Sequence, residues 1–170
     1  MIFLVSLASV ASGCSASSST HSTYDRTFAS PSNVSMEPTI QPGDTVGVST
    51  HFSTLQRGTV VVFHTPPQDN LTVAKRIVGL PGETISSAPD GRVLINGQPI
   101  DEPWLSSSEE ANPGPLIRQM TIPQGEYWVL GDYRSASEDS RFFGPVPKAN
   151  IEGVAVSIVA PPSRAGPIAS

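Results

Sequence analysis

Short runs rich in valine, isoleucine and threonine alternate along this chain with proline and glycine, and that alternation limits the fold more than any other feature. β-Branched residues suit a pleated, half-buried surface, whereas Pro and Gly interrupt ladders and mark turns. Seventeen prolines and fourteen glycines therefore predict many turns, and no long helical pattern is present. Residues 45–50 (TVGVST), 59–64 (TVVVFH), 71–78, 92–95, 126–130 and 154–159 are predicted strands, separated by turn signals such as Pro42-Gly43-Asp44, Pro66-Pro67 and Asp90-Gly91. Asn96-Gly97 lies between Val93-Leu94-Ile95 and Gln98-Pro99-Ile100, which predicts a hairpin with a type I′ turn. Strands punctuated in this way predict an all-β fold, a coiled antiparallel barrel-like sheet.

Length and charge exclude several classes of function. A chain of 170 residues supports one core, and its net charge of −5 with ten scattered Lys and Arg offers no phosphate-binding surface, so no nucleic acid is expected. The single cysteine, Cys14, excludes an internal disulfide and a cysteine-based zinc cluster. His21, His51 and His64 lack paired ligand spacing, so no metal and no cofactor is expected.

Residues 1–11 (MIFLVSLASVA) are apolar and are followed by Gly13-Cys14 and a Ser/Thr-rich stretch. The run is shorter than the roughly twenty residues a spanning helix needs. Three readings stay open: the end of a membrane anchor whose start lies upstream, a lipoprotein-type signal with Cys14 lipidated, and a buried structural cysteine. Against the second, no Lys or Arg precedes the run, and Ala11 stands where such signals carry leucine. Residues 15–23 read as a polar tether. The chain thus divides into an apolar segment and tether (1–29), a body (30–161) and a tail (162–170).

Two residues within the body suggest chemistry. Ser35 opens the stretch Ser35-Met36-Glu37-Pro38-Thr39, and Lys75 lies forty positions later among Val73, Ala74, Ile77 and Val78. A serine hydroxyl is a poor nucleophile unless a base removes its proton, and lysine serves as that base only when burial lowers its pKa. Apolar neighbours on a strand supply such burial. Ser35 follows Pro31-Ser32-Asn33-Val34, which puts it on a loop or strand start, where its own N–H can face a developing oxyanion. Asn33 is a second candidate donor, with Ser32 as its alternative. Gly79, Pro81 and Gly82 read as a tight turn ending the lysine strand, and Asp44, Asp132 and Glu83 are not adopted as acid or base.

At SMEPT, KRIVGLPGET and GDYRSASEDSRFFGPVP the sequence resembles the type I signal peptidase family, membrane-associated serine endopeptidases with a Ser/Lys dyad. Three separated blocks agree in order, from about residue 30 to about residue 161. The resemblance implies Ser35 as nucleophile, Lys75 as general base and Ser137 as the hydroxyl that orients the lysine amine. Asp139 and Arg141 match a supporting pair; spaced i and i+2, they would share one side of an extended segment and hold the Ser137 loop to the core. It also implies the barrel-like fold with an insertion at about 86–122, whose Ser, Glu and Pro content predicts partial mobility.

The activity this implies is removal of N-terminal signal peptides from exported precursors at the outer face of the cell membrane, by a monomer whose partners are preproteins and membrane lipid. An extended leader would add as a strand beside the Lys75 strand, with Met36, Ile40, Val73 and Ala74 lining shallow pockets for small side chains. Two alternatives differ in class. A self-cleaving repressor-type Ser/Lys protein would share fold and dyad, but no helix-turn-helix pattern precedes Ser35. A catalytically silent membrane-tethered binding domain is the other.

Overall fold

The computed structural model describes residues 24–30, 34–66 and 71–170. Its strands are β1 (Arg26–Ala29), β2 (Thr45–Ser49), β3 (Val60–His64), β4 (Thr72–Gly79), β5 (Thr84–Ser87), β6 (Val93–Ile95) and β7 (Gln98–Pro99). A short helix α1 (Ser107–Ala111) follows, then β8 (Met120–Thr121), β9 (Glu126–Leu130), helix α2 (Ser140–Phe143), β10 (Val146–Pro147), β11 (Ile151–Ala160) and β12 (Gly166–Pro167). Neighbours run β1-β2-β11-β3-β4-β9-β10, with β12 added on β11, and a second sheet runs β7-β6-β5-β8. Every described pairing is antiparallel. The expected all-β class is what the molecule has.

The coiling has a local cause. Register shifts interrupt β11 against β2 and β3, and β4 against β9 between Ile77 and Gly79. An extra residue at each such point bends the strand and increases its twist. The large sheet is covered on both faces, which explains why β3 buries Val60, Val61, Val62 and Phe63 in succession instead of alternating. Val60 and Val62 join Met36, Ile40 and Ala74 in one core cluster, while Val61 and Phe63 join Ile77, Tyr127 and Val129 in another. A third cluster unites Val78, Trp128 and Leu130 of the large sheet with Ile85, Val93 and Ile95 of the small one.

All six predicted strands are present, with β11 starting earlier than expected, at Ile151. The Asn96-Gly97 turn also appears, with φ of 52° and 79°, both in the region a type I′ turn requires. The short strands β1, β5, β8, β10 and β12 were not foreseen, whereas β7 is the second arm of the expected hairpin. Residues 1–23, with Cys14 and His21, lie outside the described residues, as do Ser32, Asn33 and Pro67. Among the described residues no helix is long and apolar enough to cross a membrane.

Phe63 is fully buried and meets Phe143 edge-on at 6.2 Å between ring centroids. Phe63→Ala should therefore lower the unfolding free energy by about 3–5 kcal/mol, read as an earlier midpoint in urea with little change in slope.

Candidate active site

Ser35 begins a single turn closed by hydrogen bonds from Glu37 N to Val34 O and from Ile40 N to Met36 O, each 2.9 Å. The turn drives Met36 and Ile40 into the core and leaves Ser35 only 4% exposed. Lys75 reaches it from the middle of β4: its Nζ donates to Ser35 Oγ within the protein interior. Lys75 is 1% exposed, and burial is the main influence on it, lowering its pKa from 10.5 to about 8. Asp139, Asp132 and Glu138 oppose this shift by favouring the ammonium. The result is an amine that exchanges its proton near neutral pH beside a hydroxyl it already touches.

The next residue on the strand meets the opposite fate. Arg76 is fully buried, and its Nε and Nη2 donate to the two carboxylate oxygens of Asp132 at 2.9 and 2.7 Å. Its Nη1 donates to the carbonyls of Gly58 and Ala169, each at 2.7 Å, and Thr39 Oγ1 donates to Asp132 at 2.5 Å. The network joins β4, the Ser35 turn and the loop after β9. Asp132 is thereby committed to Arg76, as Asp44 is to Arg164 and Glu83 to Arg57. None of the three carboxylates faces the serine as an acid or base.

The loop after β9 closes the site. Tyr133 N donates to the Ser35 carbonyl at 3.1 Å, and Gly131 N donates to Asp139 Oδ2 at 3.0 Å. A Cβ at Gly131 would overlap the Ser137 hydroxyl and the Ser35 carbonyl, so only glycine fits where the chain passes between them. Ser137 is buried, and its Oγ has no hydrogen-bond partner among the described residues. Here Lys75 is bonded to Ser35 rather than to Ser137. Asp139 and Arg141 pair through two 2.8 Å contacts, but by a different geometry from the expected extended segment. Asp139 is the N-cap of α2, accepting from Arg141 N at 3.2 Å, so the pair forms across a helix start.

Met36, Ile40, Val73 and Ala74, the predicted pocket residues, do converge with Ser35 on one cleft of about 20 Å³. Phe28 and Ser30 line it too and were missed; both belong to the short stretch around β1, which carries no motif. Beside the cleft β9 pairs with β4 only from Arg76 onward, so among the described residues the start of β4 has no ladder on that side. The oxyanion candidates Asn33 and Ser32 lie outside the described residues. Among the described residues no group of three or more His, Cys, Asp or Glu side chains could hold a metal ion.

With this geometry in place, similarity to known proteins assigns the family. The family model described as signal peptidase, peptidase S26, matches residues 18–160, and the chain belongs to that family. It is 40% identical to signal peptidase I of Leptolyngbya laminosa over 142 residues, 78% of this chain and 68% of that protein. Signal peptidase I V of Bacillus subtilis (strain 168) is 38% identical over 134 residues, 71% of this chain and 78% of the relative. The crystal structure of a signal peptidase I from Enterococcus faecalis V583 matches with a TM-score of 0.55 at 36% identity, over 61% of this chain and 98% of that one.

A buried lysine with a lowered pKa has a consequence for stability. Below pH 8 folded and unfolded chains both hold the proton, and the folded state bears the whole cost of a buried ammonium. Between about 8 and 10.5 only the unfolded chain holds it, so stability rises with pH; above 10.5 the cost is gone. The displacement corresponds to about 3 kcal/mol. Lys75→Met should thus be more stable than the parent at pH 7 by up to about that amount, and the advantage should shrink as urea unfolding is repeated toward pH 10.5.

Proposed function

We propose that Ser35 and Lys75 carry the reaction of this family, serine-dependent removal of signal peptides from exported precursors. The observation that carries the reading is the buried contact of Lys75 Nζ with Ser35 Oγ. In the neutral form the same contact reverses: the amine lone pair accepts the hydroxyl proton as Oγ attacks the scissile carbonyl carbon. The Ser35 N–H would stabilise the resulting oxyanion, with Asn33 or Ser32 as the candidate second donor. As the tetrahedral adduct collapses, the C–N bond breaks, the proton passes from Lys75 to the departing amine, and the leader remains as an ester on Ser35. Water then attacks that ester, giving a proton to Lys75; as this second adduct collapses the C–O bond to Ser35 breaks, Lys75 returns the proton to Oγ, and the leader departs with a new carboxyl group.

The start of β4, without a ladder on its β9 side among the described residues, suits a leader entering as an added strand, hydrogen-bonded through its main chain. The narrow cleft beside Ser35 favours small side chains at the cut. Ser137 is assigned to orient the amine once Lys75 loses its proton, since a buried hydroxyl unpaired among the described residues has capacity to spare. Asp139 and Arg141 hold the loop that carries it. The body acts as a monomer on the extracytoplasmic side of the cell membrane, tethered through residues 1–11 or a lipid on Cys14; mass spectrometry of the intact mature N-terminus distinguishes the two tethers.

Cleavage of a fluorogenic leader peptide tests the chemistry. Ser35→Ala should reduce turnover to background with the fold intact, and Lys75→Arg should do the same because a guanidinium keeps its proton. Activity surviving in either variant would sink the dyad. The rate should climb with pH as Lys75 deprotonates, with a midpoint at about 8; a flat profile from pH 6 to 10 contradicts the base assignment. Ser137→Ala should lower kcat about tenfold or more with KM little changed, within the usual range for a group that assists proton transfer. A lower melting temperature with unaltered kcat would reduce Ser137 to a loop brace.

A further inference from the structure

The connection between β7 and β8 touches the site loop at several separated points, although none of its residues lines the cleft. Trp104 lays its ring over the Arg76 guanidinium, 4.6 Å from the ring centroid. Its indole N–H is buried without a hydrogen-bond partner among the described residues. Tryptophan N–H groups are normally satisfied when buried, so this ring is held by its faces, over the cation and against the third core cluster, and not by its polar edge. Two residues earlier, Glu102 pairs with the buried Arg134, whose Nε donates to the Gly131 carbonyl at 3.0 Å. Glu109 accepts from Ser135 N at 3.2 Å, and the Pro113 carbonyl accepts from Arg141 Nη1 at 2.8 Å.

A cavity of about 420 Å³, lined in part by Arg92, Ile100, Glu102, Leu105, Glu109 and Arg134, lies behind the segment. The polar contacts hold the segment and the loop to one another across that space. Both Arg76 and Arg134 act on Gly131-Asp132, the dipeptide wedged between Ser35, Ser137 and Lys75.

We propose that Glu102 and Trp104 are positioning residues, a clamp from the small sheet that fixes Arg134 and Arg76 and thereby the Gly131–Asp132 dipeptide against Ser35 and Lys75. The inference rests on the reading of those two residues as nucleophile and base. It makes the 86–122 segment a working part of the site. The charged groups facing Lys75 are Asp139, Asp132, Glu138 and Arg141. Of these, Asp132 is the one whose charge is compensated by Arg76. Loosening Arg76 leaves Asp132 more exposed to the amine and favours the ammonium.

The test compares Trp104→Leu, Trp104→Phe and Glu102→Ala in the full chain, with kcat, KM, pH profile and melting temperature measured on each preparation. Trp104→Leu should lower kcat about tenfold, leave KM within about twofold and move the ascending pH limb upward. Trp104→Phe, which keeps an aromatic face, should recover most of kcat and return the limb. Glu102→Ala should also lower kcat at unchanged KM, and it decides the matter if Trp104→Leu fails to fold. Variants that only melt earlier, with kcat and pH limb intact, overturn the clamp. Ser35→Ala in the same assay separates the two ideas: activity there overturns the dyad, whereas a dead Ser35→Ala beside unaffected clamp variants overturns the clamp alone.

Discussion

The ion pair of Arg76 with Asp132 is the contact on which the rest of the site depends. Both side chains are wholly buried, and each of their charges would be strongly unfavourable alone. Removing one partner of such a pair typically costs about 3–5 kcal/mol because the other charge is stranded. Here the pair is surrounded by further donors and acceptors: Thr39 from the Ser35 turn, the carbonyls of Gly58 and Ala169, and the face of Trp104. Five parts of the chain far apart in sequence are therefore tied to one guanidinium. Whatever fixes Arg76 also fixes its neighbour Lys75, because a strand residue cannot shift without its successor.

Lys75 is left without such compensation, and that asymmetry is chemically useful. No carboxylate makes a direct ion pair with it among the described residues, and its hydrogen bond goes to a neutral hydroxyl. Asp132 and Asp139, the nearest sources of negative charge, are each engaged by an arginine. Their pull on the ammonium is consequently smaller than the penalty of burial, and the pKa settles at about 8. An arginine at this position would stay charged and could not serve as base; a lysine at position 76 would lose the forked match to Asp132.

How far these features can be read from sequence depends on whether the signal is local. The strands announced themselves through β-branched runs and Gly-centred turns, as the Asn96-Gly97 hairpin illustrates. Lys75 stood out because a polar group within an apolar run demands an explanation, and Ser35 through the resemblance of its SMEPT stretch; the first logic applied to Arg76 would have pointed to a buried acidic partner. Asp132 was available in the most distinctive block of the sequence. The geometry of Asp139 and Arg141 was less legible, because an i, i+2 pair shares a face on a strand and also meets across a helix cap. Phe28 and Ser30 sit in a short stretch without a motif, and Glu102 and Trp104 were invisible for a different reason: their contacts are with residues tens of positions away.

Adjacent strand residues point to opposite faces, so Lys75 and Arg76 must both be accommodated within a sheet covered on each side. Accommodating two cations in succession is what obliges the fold to bring Asp132, Asp139, the Ser35 turn and the tail to the same strand. The first cation, held short of full compensation, becomes a titratable amine; the second, fully compensated, becomes the anchor that keeps the amine in place. A fold that merely buried a lysine would be destabilised by it and free to relax the strain by swinging the side chain to solvent. The arginine network removes that freedom, and this is why a strand bearing Lys-Arg can hold a titratable amine where hydrophobic packing alone would expel one.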